Sequence, residues 1–365
     1  MNKINSINKG VIVVGWGNYN NDFIPKLLKL SEKICFPILA DGASGIFLKT
    51  NHPNIIVNHQ AFLRSEKFTK NNSPKLTLQF GNAPTSNAML DFLRDSKAYK
   101  IAINKFADRK DPSETFKKTI EANESDFCTE VCNKINIKTD NSFISTYQYF
   151  DRLTDEIKSK YLNSVKIADE IGIVSKVINI LPNNSNLFVS NSLPIRDLEF
   201  FKSKTNKKIN LFVNRGASGI DGINSTAAGI ASSSNRPSVL ITGDLSFFHD
   251  TTGLHTIAKY KIPITIILIN NGGGAIFGML PISKESRIFE DYFFSSLDLD
   301  FAKIVGTFGG KYYKINSYNS LSTRITASIK SKSFSVLEIK TNYKNGIELR
   351  KDYFRKVISE IENVI

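Results

Sequence analysis

Short, uninterrupted apolar runs alternate with longer amphipathic segments along the whole chain, and this alternation constrains the fold more than any other feature. A run that is apolar at every position reads as a strand buried on both faces, which parallel sheets produce and one-sided antiparallel sheets do not. Strand-like and helix-like stretches in alternation therefore predict an α/β fold. Two such series are visible, and 365 residues leave room for two cores of ~150 residues and little more.

The first series opens with a strand over 11–14 and the turn Gly15-Trp16-Gly17, then a helix over 23–34 and a strand over 37–40. Further strands are expected near 76–80 and 99–103. Between 104 and 148 the sequence turns polar and irregular, which predicts a linker or domain edge. The second series begins with helical stretches over about 149–181 and alternates to the C-terminus. The expectation is two doubly wound parallel-sheet domains, 1–148 and 149–365.

Composition removes several classes of function. The longest apolar stretch, 262–269, is interrupted by Pro263 and Thr265 and falls short of the ~20 residues of a membrane span. No apolar segment of signal-peptide type precedes the first strand, so a cytoplasmic protein is expected. Three cysteines, Cys35, Cys128 and Cys132, cannot form a disulfide framework. Cys128 and Cys132 lack the second ligand pair of a zinc site, and all three read as reduced thiols. Lys and Arg number 48 against 34 Asp and Glu, a net charge of +14. The lysines are dispersed, and the densest cluster, 202–208, has no aromatic companions, so no nucleic-acid partner is expected. Anionic small molecules fit, since a few well-placed arginines suffice for them.

Residues 209–281 carry the chemistry. A strand over 209–213, read as buried, leads into a loop from Asn214 to Gly222 with three glycines, then a small-residue helix over 225–231. A strand over 239–242 ends in Gly243-Asp244-Leu245-Ser246, an amphipathic helix runs to about 260, and a strand over 264–269 ends in Asn270-Asn271-Gly272-Gly273-Gly274-Ala275-Ile276-Phe277. Parallel strands joined by a crossover helix bring both turns to one sheet edge, where open α/β sheets bind ligands. One carboxylate, one amide oxygen and one loop carbonyl give a hard cation three oxygen ligands, and Mg²⁺ completes such a shell with phosphates. The reading is a Mg²⁺–diphosphate site. His249, Asp250 and His255 are not read as a metal cluster, because the two histidines face different sides of the expected crossover helix.

Gly243-Asp244-Leu245-Ser246 followed by Asn270-Asn271 resembles the binding motif of thiamine diphosphate enzymes of the decarboxylase-like and transketolase-like kind. Three neighbouring words narrow the likeness: Asn191-Ser192-Leu193-Pro194-Ile195-Arg196, the loop from Asn214 to Gly222, and Gly243 to Asp250. With Asn271 to Phe277 they look like the menaquinone-pathway synthases that make 2-succinyl-5-enolpyruvyl-6-hydroxy-3-cyclohexene-1-carboxylate. The first series joins in through Leu39-Ala40-Asp41-Gly42-Ala43-Ser44-Gly45 and Phe80-Gly81-Asn82-Ala83-Pro84-Thr85-Ser86, so the likeness covers nearly the whole chain.

The resemblance implies a central domain followed by a diphosphate-binding domain, with thiamine diphosphate and Mg²⁺ as cofactors. It implies condensation of 2-oxoglutarate with isochorismate and loss of carbon dioxide. Carried over residue by residue, Asp244, the Asn271 side chain and the Gly273 carbonyl would hold Mg²⁺, with Gly243, Leu245 and Ser246 beside the diphosphate. Ile220 would be the apolar prop beneath the bent cofactor, and Ile276 and Phe277 would line the reaction pocket. Ser192, Arg196 and Arg215 would bind substrate carboxylates, which arginine grips bidentately. Relatives of this kind also carry a pyrimidine-binding domain with an activating glutamate, which has no counterpart motif in this sequence. The expectation is that the chain is a fragment, that its start is misassigned, or that the pyrimidine-binding domain is a separate polypeptide, and the resemblance also implies a homo-oligomer. Pro84 and Asn87 stand where a lysine would be expected in the central-domain loop. Other readings are another thiamine diphosphate-dependent carboligase or 2-oxo acid decarboxylase, and a non-catalytic cofactor-binding fragment.

Overall fold

The computed structural model describes residues 2–106, 111–112, 114–331 and 333–365. They form two compact units, one of Met1–Ser159 with Lys202–Asn206 and Phe354–Ile365, the other of Lys160–Phe201 with Lys207–Tyr353. The boundary expected after residue 148 lies within the helix Ser142–Ser164.

The first unit is built on strands β1 (Gly10–Val14), β2 (Ile38–Ala40), β3 (Ile55–Ile56), β4 (Leu76–Phe80), β5 (Tyr99–Asn104) and β6 (Phe116–Glu121). Among the described residues they form one parallel sheet in the order β3-β2-β1-β4-β5-β6. Central β1 is Gly-Val-Ile-Val-Val and buried throughout, as a strand covered on both faces must be. The stretch 104–148, expected as a linker or domain edge, holds β6, the helix Glu124–Lys134 and the start of Ser142–Ser164. Its polarity has a simple cause: β6 is an edge strand with no fully buried residue, and the helix buries one face through Ser125, Cys128, Val131 and Cys132.

The order of this sheet reverses between β1 and β4, the usual place for a ligand crevice. Here the turns that follow β1 and β4 are hydrogen-bonded to each other. The Tyr19 hydroxyl donates to the Gly15 carbonyl at 2.7 Å, and the Asn82 amide donates to the Trp16 carbonyl at 3.0 Å. Asp41 joins the two family-like words of this unit, accepting from Ala43 N at 2.9 Å and Thr85 N at 2.7 Å.

The second unit contains β7 (Asn186–Val189), β8 (Asn210–Phe212), β9 (Ser238–Gly243), β10 (Thr265–Asn270), β11 (Lys311–Lys314) and β12 (Ser335–Lys340), again all parallel. Their order is β11-β12-β10-β9-β7-β8, and the direction of progression reverses at the β7–β9 pair. The helix Ile223–Ser232 packs Ala227, Ala228 and Ala231 into a core with Phe188, Leu240 and Leu268; small side chains permit this close approach. β8 is only partly buried, contrary to the buried strand expected over 209–213, because an edge strand has one neighbour. The expected single helix to about 260 is two, Asp244–His249 and Gly253–Lys259. The break falls at Asp250, whose carboxylate is taken by Ser225 N at 2.6 Å and Ser225 Oγ at 3.0 Å.

The three cysteines are buried and free of disulfides. Among the described residues no helix is long and apolar enough to cross a membrane, and no group of three His, Cys, Asp or Glu could hold a metal.

Candidate cofactor site

Register brings the site together. In the β9–β10 pair Gly243 lies opposite Ile269, so Asp244 leaves the sheet level with the Asn270-Asn271 turn. In the β7–β9 pair Val189 lies opposite Ile241, which places the loop from Ser190 onward on the other side of the same edge. Between them opens a cavity of ≈ 320 Å³. Its walls contain all twelve residues singled out from the sequence: Ser192, Arg196, Arg215, Ile220, Gly243, Asp244, Leu245, Ser246, Asn271, Gly273, Ile276 and Phe277.

Asp244 is 2 % exposed and pins both turns. One carboxylate oxygen accepts from Leu245 N at 2.7 Å, and the other accepts from Gly272 N at 2.7 Å and Gly273 N at 3.0 Å. Burial pushes its pKa up to about 6, against the opposing pull of these N–H donors. Gly272 turns with φ +85°, and a Cβ on Gly273 would lie 2.5 Å from the Phe294 carbonyl oxygen, so glycine is required at this bend.

Asn271 Oδ1 is buried with no hydrogen-bond partner. A buried acceptor left unpaired costs ~1–3 kcal/mol, and a cation in the cleft would remove that cost. The Gly273 carbonyl accepts from Ala275 N at 2.9 Å and keeps a second lone pair. A carboxylate, an amide oxygen and a carbonyl form a hard, oxygen-only donor set, which suits Mg²⁺ and lies outside any His/Cys/Asp/Glu cluster.

The opposite wall is cationic. Arg196 donates from Nη1 to the Ser192 carbonyl at 2.9 Å, and its pKa is lowered by burial and by the neighbouring Arg215 charge. Two guanidiniums that disfavour each other's charge favour an anion between them. Ser192 has φ +72°, unusual for a residue with a Cβ. Behind the cavity, Leu193, Ala275, Phe289 and Phe294 form an apolar cluster against which Ile276 packs, while Phe277 is 39 % exposed.

Eight lining residues lay outside the twelve, Asn191 and Glu170 among them. Asn191 donates from Nδ2 to the carbonyls of Asn214 at 2.9 Å and Gly219 at 2.6 Å, and Arg215 Nη1 donates to its Oδ1 at 3.2 Å, so it braces the glycine loop. It sits in a word already noticed, next to Ser192, and could have been found there. Glu170 follows a short helical turn, Ile167–Asp169, far from every motif, and no sequence signal marks it. His249 and His255 do not line the cavity.

A parallel sheet with a cleft at its switch point is the arrangement in which open α/β proteins bind their ligands. Comparison gives the family. The model for the middle domain of thiamine pyrophosphate enzymes matches residues 4–189, and the model for the thiamine pyrophosphate enzyme C-terminal TPP-binding domain matches residues 202–339. The chain belongs to the thiamine pyrophosphate enzymes. Within that family it is 30% identical over 365 residues to the 2-succinyl-5-enolpyruvyl-6-hydroxy-3-cyclohexene-1-carboxylate synthase of Bacillus cytotoxicus, covering 100% of this chain and 62% of the relative. The synthase of the same name from Listeria welshimeri is 33% identical over 341 residues, 92% of this chain and 58% of that one. The chain thus spans about three-fifths of the length of these relatives. The fold is shared with benzoylformate decarboxylase from Polynucleobacter necessarius at a TM-score of 0.61 and 13% identity, over 94% of this chain and 63% of that one.

Proposed function

We propose that this chain supplies the cofactor- and substrate-binding part of a thiamine diphosphate- and Mg²⁺-dependent carboligase, condensing 2-oxoglutarate with isochorismate to 2-succinyl-5-enolpyruvyl-6-hydroxy-3-cyclohexene-1-carboxylate with loss of carbon dioxide. The observation that carries this reading is the unpartnered Asn271 Oδ1 beside Asp244, in a cleft whose other wall presents Arg196 and Arg215. Asp244, Asn271 Oδ1 and the Gly273 carbonyl hold Mg²⁺, and Gly243, Leu245 and Ser246 face the diphosphate. Ile220 props the cofactor from the glycine loop. When bound, thiamine diphosphate supplies the electron sink that lets a 2-oxo acid lose carbon dioxide.

The chain's own residues select and orient. Arg196, fixed to the Ser192 carbonyl, and Arg215, fixed to Asn191, present two positive groups to the carboxylates of dianionic substrates. Ile276 and Phe277 give the pocket an apolar wall that keeps water from the reacting carbon. The relatives named above carry this synthase's name, which favours these two substrates over those of other carboligases.

The test is carbon dioxide release from 2-oxoglutarate with isochorismate, thiamine diphosphate and Mg²⁺, by this chain alone and with a pyrimidine-binding domain borrowed from a relative. Turnover that requires isochorismate supports the proposal. Decarboxylation indifferent to isochorismate would make the chain a different 2-oxo acid decarboxylase, and cofactor binding without turnover under both conditions would make it a silent binding module.

A further inference from the structure

The two asparagines of the Asn270-Asn271 pair are each held from behind by a buried glutamate. Asn270 Nδ2 donates to Glu338 Oε1 at 2.5 Å, and its Oδ1 accepts from Gly272 N at 3.2 Å. Asn271 Nδ2 lies 3.3 and 3.4 Å from the two oxygens of Glu170. A carboxylate accepts and cannot donate, so each glutamate dictates which end of the amide faces it. For Asn271 the consequence is that Oδ1 must point away from Glu170, to the position where it has no protein partner.

Glu170 is itself over-determined. It is 1 % exposed, takes a hydrogen bond from Thr341 Oγ1 at 3.3 Å, and lies 3.4 Å from the Arg350 guanidinium. Arg350 is in turn clamped by Asp197 through Nε at 2.7 Å and Nη2 at 2.5 Å. The backbone at Glu170 has φ +70° and ψ −46°, and Ile171 N donates across it to the Asp169 carbonyl at 2.8 Å. This is the rare γ-turn of positive φ, a strained conformation that persists only where the surroundings enforce it. Strain, burial and a fixed cation partner converge on the one carboxylate that faces the Asn271 amide.

We infer that Glu170 is a positioning residue for the cation site: it locks the Asn271 side chain with its oxygen toward Asp244, and Arg350 and Thr341 hold Glu170 in place. The inference rests on the reading of the cleft as a cation and diphosphate site. Glu170 does not touch the cation in this scheme. Its effect passes through the orientation of an amide that would otherwise be free to turn its NH₂ group into the cleft, where a donor repels a cation.

The experiment is Mn²⁺ binding to the full chain in the presence of thiamine diphosphate, followed by electron paramagnetic resonance, with thermal unfolding measured on the metal-free proteins. Glu170→Gln keeps size and shape but can present its own NH₂ group to Asn271. It is expected to weaken Mn²⁺ binding at least tenfold. The decisive variant is the double exchange Glu170→Gln with Asn271→Asp, which restores a donor facing an acceptor with the polarity reversed and leaves an oxygen aimed at the cleft. It is expected to recover most of the lost affinity, which a purely structural role for Glu170 would not produce. Binding by Glu170→Gln equal to wild type, with binding lost in Asp244→Asn, overturns the inference and leaves the site reading intact. A double variant no better than the single one also overturns it, whatever the unfolding temperatures. No Mn²⁺ binding by the wild-type chain overturns the site reading and the inference together.

Discussion

Asp244 can serve a cation only as the carboxylate, and burial lifts its pKa to about 6, so protons compete with the metal at accessible pH. The sign follows directly: cation affinity is flat well above that value and falls as pH drops through it, approaching about tenfold per pH unit. Calorimetric titration of Mg²⁺ into the chain with thiamine diphosphate between about pH 5 and pH 8 checks this, and an affinity unchanged at the acid end would remove Asp244 from the ligand set. Gly273→Ala tests the turn itself. The added Cβ would meet the Phe294 carbonyl at 2.5 Å and the Ser295 carbonyl at 3.1 Å, both backbone atoms that cannot swing aside. Displacement on the order of 1–3 kcal/mol is expected, read as a loss of cation affinity of about tenfold or more with the fold retained. At this scale much of the site was legible, because a strand end, its turn residue and the glycines that follow are contiguous in sequence and dictate one another's geometry. Glu170 was not legible: it reaches Asn271 from a distant loop, and a lone glutamate between two helices carries no local mark.

Elements carry two further predictions. Lys100 lies on β5 with 2 % exposure, and burial pulls its pKa down from 10.5 to about 8 despite the nearby Asp111 and Asp95 charges. The folded chain therefore holds this proton less tightly than the unfolded chain, and stability rises with pH between those two values. Lys100→Met should raise the melting temperature at neutral pH, with the advantage shrinking as the buffer rises from about 8 toward 10.5, where the wild-type side chain is already neutral in the folded state. Melts at the two ends of that range decide it. Asp250 caps a helix it does not belong to, supplying the acceptor for Ser225 N at the start of Ile223–Ser232, where Gly222 has no side chain to offer. Asp250→Ala should cost about 1–2 kcal/mol in urea unfolding. This long-range cap is also why the crossover was read as one helix: the apolar pattern runs on through Leu254 and Ile257, and the break becomes visible only when the carboxylate is seen turned toward Ser225. Interior strands β1, β4 and β10 were readable because both faces are buried, whereas β6 at a sheet edge lacks the continuous apolar run that marks a strand.

For the whole molecule, the two units have separate sheets and every residue lining the cavity belongs to the second. Their composition from non-contiguous segments escaped the sequence because periodicity reports which face of an element is buried, not which core buries it; residues 202–206 and 354–365 join the first unit from across the chain. Ligand linkage turns this division into a test. A cofactor that binds only the folded second unit stabilises it by about 2.7 kcal/mol at a hundred times its dissociation constant, a shift of roughly 5 to 10 °C for a unit of this size. In scanning calorimetry, Asp250→Ala marks the transition of the second unit by lowering it, and Lys100→Met marks that of the first by raising it. Thiamine diphosphate with Mg²⁺ should move the transition marked by Asp250→Ala, and should do so in wild type but not in Asp244→Asn. A shift confined to the transition marked by Lys100→Met would place the cofactor on the first unit and would contradict the assignment of the cleft.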